Sequence, residues 1–71
     1  MIFYGTFGGS QSLRDNYVVV EANSYKEARK QMTDTYGTLW AFLYQPLDFK
    51  GQIAQFGLKQ VPLGTPNKRD Y

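Results

Sequence analysis

The chain contains no cysteine and no histidine, and only three prolines and one tryptophan, in 71 residues. Without Cys there is no disulfide, and without Cys or His there is no zinc site of the usual sulfur and nitrogen ligands, so two common staples of small domains are missing. The same absences remove the commonest general base and the thiolate nucleophile from any enzymatic reading. Lack of Cys is compatible with the reducing cytosol. Excess charge is scarce too. Eight Lys plus Arg against six Asp plus Glu give a net charge of +2, too small a surplus for charge alone to point to nucleic acid. The N-terminal stretch Met1-Ile2-Phe3-Tyr4-Gly5-Thr6-Phe7 lacks the basic region and long apolar core of a signal peptide, and no run approaches the roughly 18 apolar residues of a membrane span. The expectation is a soluble cytoplasmic protein with no membrane partner.

What the chain has instead is aromatic side chains: six Tyr, five Phe and one Trp. A single domain of this length buries only about 60% of the surface its unfolded chain exposes. Rings that each bury roughly 150–250 Å² are the available substitute for a staple.

The organising stretch is Tyr17 to Tyr44. The run Tyr17-Val18-Val19-Val20-Glu21-Ala22 is β-branched and reads as a strand. Ser24 followed by Glu27 is the S-x-x-E capping box that opens a helix, in which each side chain satisfies a free backbone N–H of the other residue. Tyr25, Ala28, Met32 and Tyr36 then fall on one helical stripe, with Lys26, Arg29, Lys30 and Thr33 facing away. Gly37 stands where a helix stops in a left-handed conformation. Thr38-Leu39-Trp40-Ala41-Phe42-Leu43-Tyr44 reads as the next strand, with Leu39, Ala41 and Leu43 on one face and Trp40, Phe42 and Tyr44 on the other. A strand-helix-strand unit with so short an exit implies that its two strands are parallel.

Residues 2–7 read as a strand preceding these, with Gly5 marking a bulge or a close backbone approach. This strand lies either between the parallel pair or outside it. Gly8 to Asn16, with two glycines, two serines, Asp and Asn, reads as a flexible hairpin tip, and neither phosphate-loop spacing of glycines is present. After Gln45-Pro46, the spacing of Phe49, Ile53 and Phe56 suggests a short helix ended by Gly57. Leu58 to Val61 suggests an edge strand ended by Pro62.

The predicted fold is therefore α+β: a β-β-α-β core with a second short helix and a short C-terminal edge strand, the helix packed on a small sheet. Residues 1–64 form a single domain, and 65–71 a polar tail expected to fray. Both faces of such a sheet are apolar. One helix covers one face, so the other needs a lid, a partner or a ligand.

Three surfaces are candidates for binding. Trp40, Phe42 and Tyr44, near Tyr17, form a row on which nucleic-acid bases stack in sheet-based binders; the plainer alternative is that Phe49, Ile53 and Phe56 fold over that row as core. Lys26, Arg29 and Lys30, joined by Arg14, form a basic patch for an acidic protein surface or phosphates; the plainer alternative is a solvated helix flank partly neutralised by Glu27. The loop residues Gly8, Gly9, Ser10 and Leu13 are candidate contacts. The carboxylates Asp15, Glu21, Glu27, Asp34, Asp48 and Asp70 are scattered, so no acid–base pair stands out. No enzyme activity, metal or cofactor is expected.

Phe7-Gly8, Leu13 to Val20, Ala22, Ala28-Arg29, Met32, Tyr36-Gly37, Trp40-Ala41-Phe42, Tyr44, Phe49 to Gln52 and Phe56-Gly57-Leu58 together resemble small uncharacterised accessory proteins of phage and prophage genomes. The resemblance covers most of the chain, and its motifs are mainly structural. It implies a phage-type protein that binds and inhibits a host or defence protein, in the manner of an anti-CRISPR inhibitor, in the host cytoplasm. Alternatives from the residues themselves are a small nucleic-acid-binding domain, using the basic helix face and the aromatic strand, and a self-assembling component whose uncovered face closes a homodimer.

Overall fold

The computed structural model describes residues 1–68, and residues 52–56 by their backbone only. Six elements follow in order: β1 (Ile2–Thr6), β2 (Asn16–Glu21), α1 (Tyr25–Tyr36), β3 (Phe42–Tyr44), α2 (Pro46–Phe56) and β4 (Lys59–Val61). β1 pairs antiparallel with β2, from Ile2 opposite Glu21 to Thr6 opposite Tyr17. It also pairs antiparallel with β3, from Tyr4 opposite Tyr44 to Thr6 opposite Phe42. β4 lies parallel to β2, so the sheet order is β3-β1-β2-β4. Both neighbours of β1 oppose it. Hence β2 and β3 are parallel with β1 between them, which decides the placement the sequence leaves open.

The start of α1 is fixed by its cap. Ser24 Oγ accepts from the Glu27 N–H at 3.2 Å, while Glu27 Oε2 accepts from the N–H of Asn23 at 2.8 Å. The reciprocal half of the box therefore falls one residue earlier than the motif predicts, on the residue before the cap. Gly37 ends the helix at φ +63°, its N–H donating to the Thr33 carbonyl at 2.8 Å.

Strand alternation sends Phe3, Gly5, Val18, Val20 and Leu43 toward α1, whose Ala28, Met32 and Tyr36 meet them. Phe3, Val18, Val20, Ala28 and Met32 are completely excluded from solvent. Phe7, Leu13 and Ala22 complete this cluster, with Trp40 and Val61 packed at its border. Gly5 is the close approach the sequence suggests, in an unbroken register: a Cβ there would sit 2.7 Å from Met32 Sδ. A side chain at this position would have to push the end of Met32 aside, so glycine suits the close contact between sheet and helix.

The opposite face holds Tyr4, Thr6, Tyr17, Val19, Phe42 and Tyr44, and α2 lies over it. Phe49 stacks on Tyr4 at 4.6 Å between ring centres and meets Tyr17 at 4.9 Å and Tyr44 at 5.6 Å. Phe49 thus folds over the sheet as its helical spacing predicts. The side chains of Ile53 and Phe56, expected beside it, lie outside the described residues. With a helix on each face, the sheet is the middle of three layers.

Two expectations need correction. The third strand begins at Phe42, four residues later than the sequence suggests, because β1 ends at Thr6 and leaves the preceding segment nothing to pair with. The ladder opens with the Ala41 N–H donating to the Thr6 carbonyl at 2.8 Å. Strict alternation therefore does not extend back to Trp40, which packs against the α1-side cluster that contains Leu43 and does not share a face with Phe42 and Tyr44.

The second correction concerns the loop and the tail. Residues 8–15 form a hydrogen-bonded loop, and Asn16, expected in it, already belongs to β2: Gln11 is buried, and its Oε1 accepts from the Gly8 N–H at 3.2 Å. The segment 65–68, expected to fray, is hydrogen-bonded onto this loop. The Ser12 N–H donates to the Lys68 carbonyl at 2.7 Å, and the Lys68 N–H returns a bond to Ser12 Oγ at 2.9 Å. The last three residues of the predicted tail lie outside the described residues. Among the described residues, no helix is long and apolar enough to cross a membrane.

Candidate functional site

β1 ends, and β2, β3 and β4 all begin, at one end of the sheet. The residues gathered there surround a hollow of about 330 Å³ lined by Thr6, Phe7, Arg14, Asp15, Phe42, Tyr44 and Leu58. Each wall has a separate structural cause. The pairing Thr6 to Phe42 places the Phe42 ring at the outer strand, where no further strand covers it, and 62% of the residue stays exposed. Tyr44, two residues on, points to the same face and is held half-buried against Phe49. Its ring lies 6.0 Å from that of Phe42, tilted by 40°.

Arg14 and Asp15 come from the turn that leads into β2. That turn is closed by the Arg14 N–H donating to the Gln11 carbonyl and the Asn16 N–H to the Leu13 carbonyl, at 3.1 and 2.9 Å. The Arg14 guanidinium also reaches the Gln11 carbonyl at 3.5 Å. Leu58 arrives from the far side of the sheet, where the Lys59 N–H donates to the Asp15 carbonyl at 3.1 Å and fixes the start of β4 beside the turn.

The sequence-predicted residues thus separate into three groups. Arg14, Phe42 and Tyr44 share this hollow. Lys26, Arg29 and Lys30 lie exposed along the outer side of α1, with Lys30 Nζ 3.0 Å from Asp34 Oδ2. The partner of Lys30 is therefore Asp34 one turn onward; Glu27, expected to neutralise it, is engaged at the cap. An exposed pair of this kind contributes a few tenths of a kcal/mol, roughly 0.3–0.5. Arg14 does not join this patch: it lines the hollow on the other face of the sheet from α1.

Trp40 forms the third group. It borders a separate depression with Arg29, Thr33, Gly37, Thr38 and Ala41. Among the loop candidates, Gly9 and Ser10 are exposed and Gly8 is half-buried, but Leu13 is 8% exposed within the α1-side core. Its apolar side chain is an anchor for the turn, not a contact surface.

Thr6, Phe7, Asp15 and Leu58 line the hollow without having been singled out by the sequence. Their convergence depends on which strands start at the same end, which local spacing does not encode. Among the described residues, no group of three or more acidic, Cys or His side chains could hold a metal ion. What the hollow offers chemically is two partly open rings, one guanidinium, one carboxylate and a threonine on a rigid strand end. That set suits apolar contact with a charged rim. No family model, no curated protein and no solved structure matches this chain.

Proposed function

We propose that this chain is a non-enzymatic binding protein that docks on another protein through the hollow around Phe42 and acts as an inhibitor of the phage accessory class its sequence resembles, directed at a host or defence protein. The observation that carries the docking surface is the exposure of a large ring at a rigid strand edge: Phe42, 62% exposed, beside Tyr44 and Arg14. Aromatic and arginine side chains are enriched among the residues that dominate protein-interface energies, and here two rings and an arginine line one hollow. Leu47, 94% exposed at the start of α2 shortly after β3, adds apolar surface to the same helix-covered side of the fold.

The test is capture from bacterial lysate on immobilised protein, comparing the wild type with Phe42→Ala and with Arg29→Ala. A partner retained by the wild type and by Arg29→Ala, and weakened by roughly 30-fold or more with Phe42→Ala, is the expected result for an interface hot spot. Equal retention by Phe42→Ala overturns the assignment of the surface. Inhibition is then read directly by adding the protein to the captured partner in its own activity assay.

A second reading has one observation in its favour. Arg29 and Trp40, predicted separately as basic and aromatic contacts, border one depression of about 400 Å³ with Thr33 and Thr38. Cation and ring together are what a single-stranded nucleic acid engages. Binding of this kind weakens steeply with salt because phosphate contacts release counterions. A flat or absent response in an oligonucleotide salt titration removes it.

A further inference from the structure

Asn67 lies in the polar segment after Pro66, yet its side chain touches two separate parts of the fold. Its Oδ1 accepts from the Leu13 N–H at 3.1 Å and lies 3.5 Å from Ser12 Oγ. Its Nδ2 donates to Gln11 Oε1 at 3.1 Å and also to the Leu39 carbonyl. One amide therefore links the turn ahead of β2 to the segment ahead of β3. Those two stretches lead to Arg14 and Phe42, both of which line the hollow.

The setting is built for this. Gln11 is only 8% exposed, and its side-chain Oε1 accepts from both the Gly8 N–H and Asn67 Nδ2, so losing either bond leaves a largely buried amide less well satisfied. The backbone of the neighbouring residue holds the connection in register, since Ser12 and Lys68 exchange two hydrogen bonds at 2.7 and 2.9 Å. The segment 37–41 is tied to α1 by the Leu39 N–H donating to the Tyr36 carbonyl and to β1 by the Ala41 N–H donating to the Thr6 carbonyl, and between those two bonds it forms no strand. The Leu39 carbonyl is held by Asn67.

From this geometry we infer that Asn67 is a positioning residue of the hollow: its amide clasps the turn carrying Arg14 to the segment leading into Phe42, and so helps set how these two lining residues are placed relative to each other. The functional meaning of the clasp rests on the docking reading of the hollow, but the clasp itself is tested without any partner. Trp40, the only tryptophan, sits next to Leu39 and reports on the clasped segment.

The experiment compares wild type, Asn67→Asp and Asn67→Ala by tryptophan fluorescence and by amide hydrogen exchange, well below their unfolding temperatures. Asn67→Asp keeps an acceptor for the Leu13 N–H but loses both donated bonds. The expected result is a red-shifted Trp40 emission with Leu13 still protected. Asn67→Ala loses both sides, so emission shifts and Leu13 exchange accelerates together. A general loss of stability would not separate the two readouts in this way. Should either variant fail to fold, wild-type exchange decides. The Ser12 and Leu13 amides must exchange about tenfold or more slowly than that of the exposed Ser10. Unchanged Trp40 emission in folded Asn67→Asp, or Ser12 and Leu13 exchanging as fast as Ser10, overturns the clasp. Partner capture lost with Phe42→Ala but kept with an unclasped Asn67 variant would leave the docking reading standing and reject only the positioning role.

Discussion

The two faces of the sheet are covered by helices of similar length and are sealed to very different degrees. Under α1, aliphatic side chains, Phe3 and Met32 interlock until five residues reach zero exposure, with Gly5 letting the helix approach. Under α2, Phe49 is 1% exposed, but Tyr4, Tyr17 and Tyr44 around it remain half-buried and Phe42 lies open. The contrast follows from side-chain shape. Branched and flexible aliphatic groups fill gaps at the density of an interior, whereas rings in edge and stacked contacts leave their rims at the boundary, where a phenol can stay wet. The first face is the more completely sealed; the second combines a ring cluster around Phe49 with the exposed ring of Phe42.

The sharpest way to break this comparison is to truncate one phenylalanine on each face. Phe3→Ala is expected to cost about 3–5 kcal/mol, because Phe3 is itself fully enclosed within the tightly packed cluster under α1. A single core in a chain of this length rarely supplies more than about 3–5 kcal/mol, so this variant should be largely unfolded at 37 °C. Phe49→Ala is expected to cost less, about 2–3 kcal/mol, since half-exposed tyrosines can close inward and water can enter. Urea unfolding of both variants checks the order. If Phe49→Ala proves the costlier of the two, the second face is as much a core as the first.

A smaller effect sharpens the account of the first face. Gly5→Ala places a methyl group against Met32 Sδ and 3.2 Å from Val18 Cγ2. Overpacking of this kind costs about 1–3 kcal/mol. Met32→Val removes the thioether end that obstructs the new methyl. The double variant should then be more stable than the sum of the single changes by about 0.5 kcal/mol or more. Strict additivity in a double-mutant cycle would mean that Met32 swings aside freely and that the glycine is not what sets the helix-to-sheet distance.

The first face was largely legible in the sequence, the hollow only in fragments. Ser24 with Glu27, the stripe of Ala28, Met32 and Tyr36, the run of valines and Gly37 are local signals whose meaning depends on spacing alone, and they give α1, β2 and the parallel relation of β2 to β3. Trp40 was misplaced because alternation was carried back past the point where β1 ends; strand length depends on the partner strand, not on the run itself. Leu13 and Asn67 were misjudged for a similar reason. A polar, glycine-containing stretch and a polar tail each read as mobile when taken singly. Their order comes from bonding each other across more than 50 residues of sequence. Arg14, Phe42 and Tyr44 were singled out by residue type, but the fact that they share a hollow with Thr6, Asp15 and Leu58 is a property of strand order.

The smallest expected change is the most discriminating for the second face. Phe42 contributes to the ladder through its backbone, and its carbonyl accepts from Thr6 Oγ1 at 3.4 Å, so Phe42→Ala leaves those bonds in place. Its ring is mostly in solvent and its described ring contact is the tilted one to Tyr44. Removing it should shift folding stability by no more than about 0.5 kcal/mol, the usual range for a surface position. A midpoint in urea that is nearly unchanged, combined with loss of the captured partner, would separate a contact residue from a structural one. A loss of stability near that of Phe49→Ala would instead place Phe42 in the ring cluster and move the docking surface elsewhere, because a ring on which the fold itself depends is not free to be covered and uncovered by a partner.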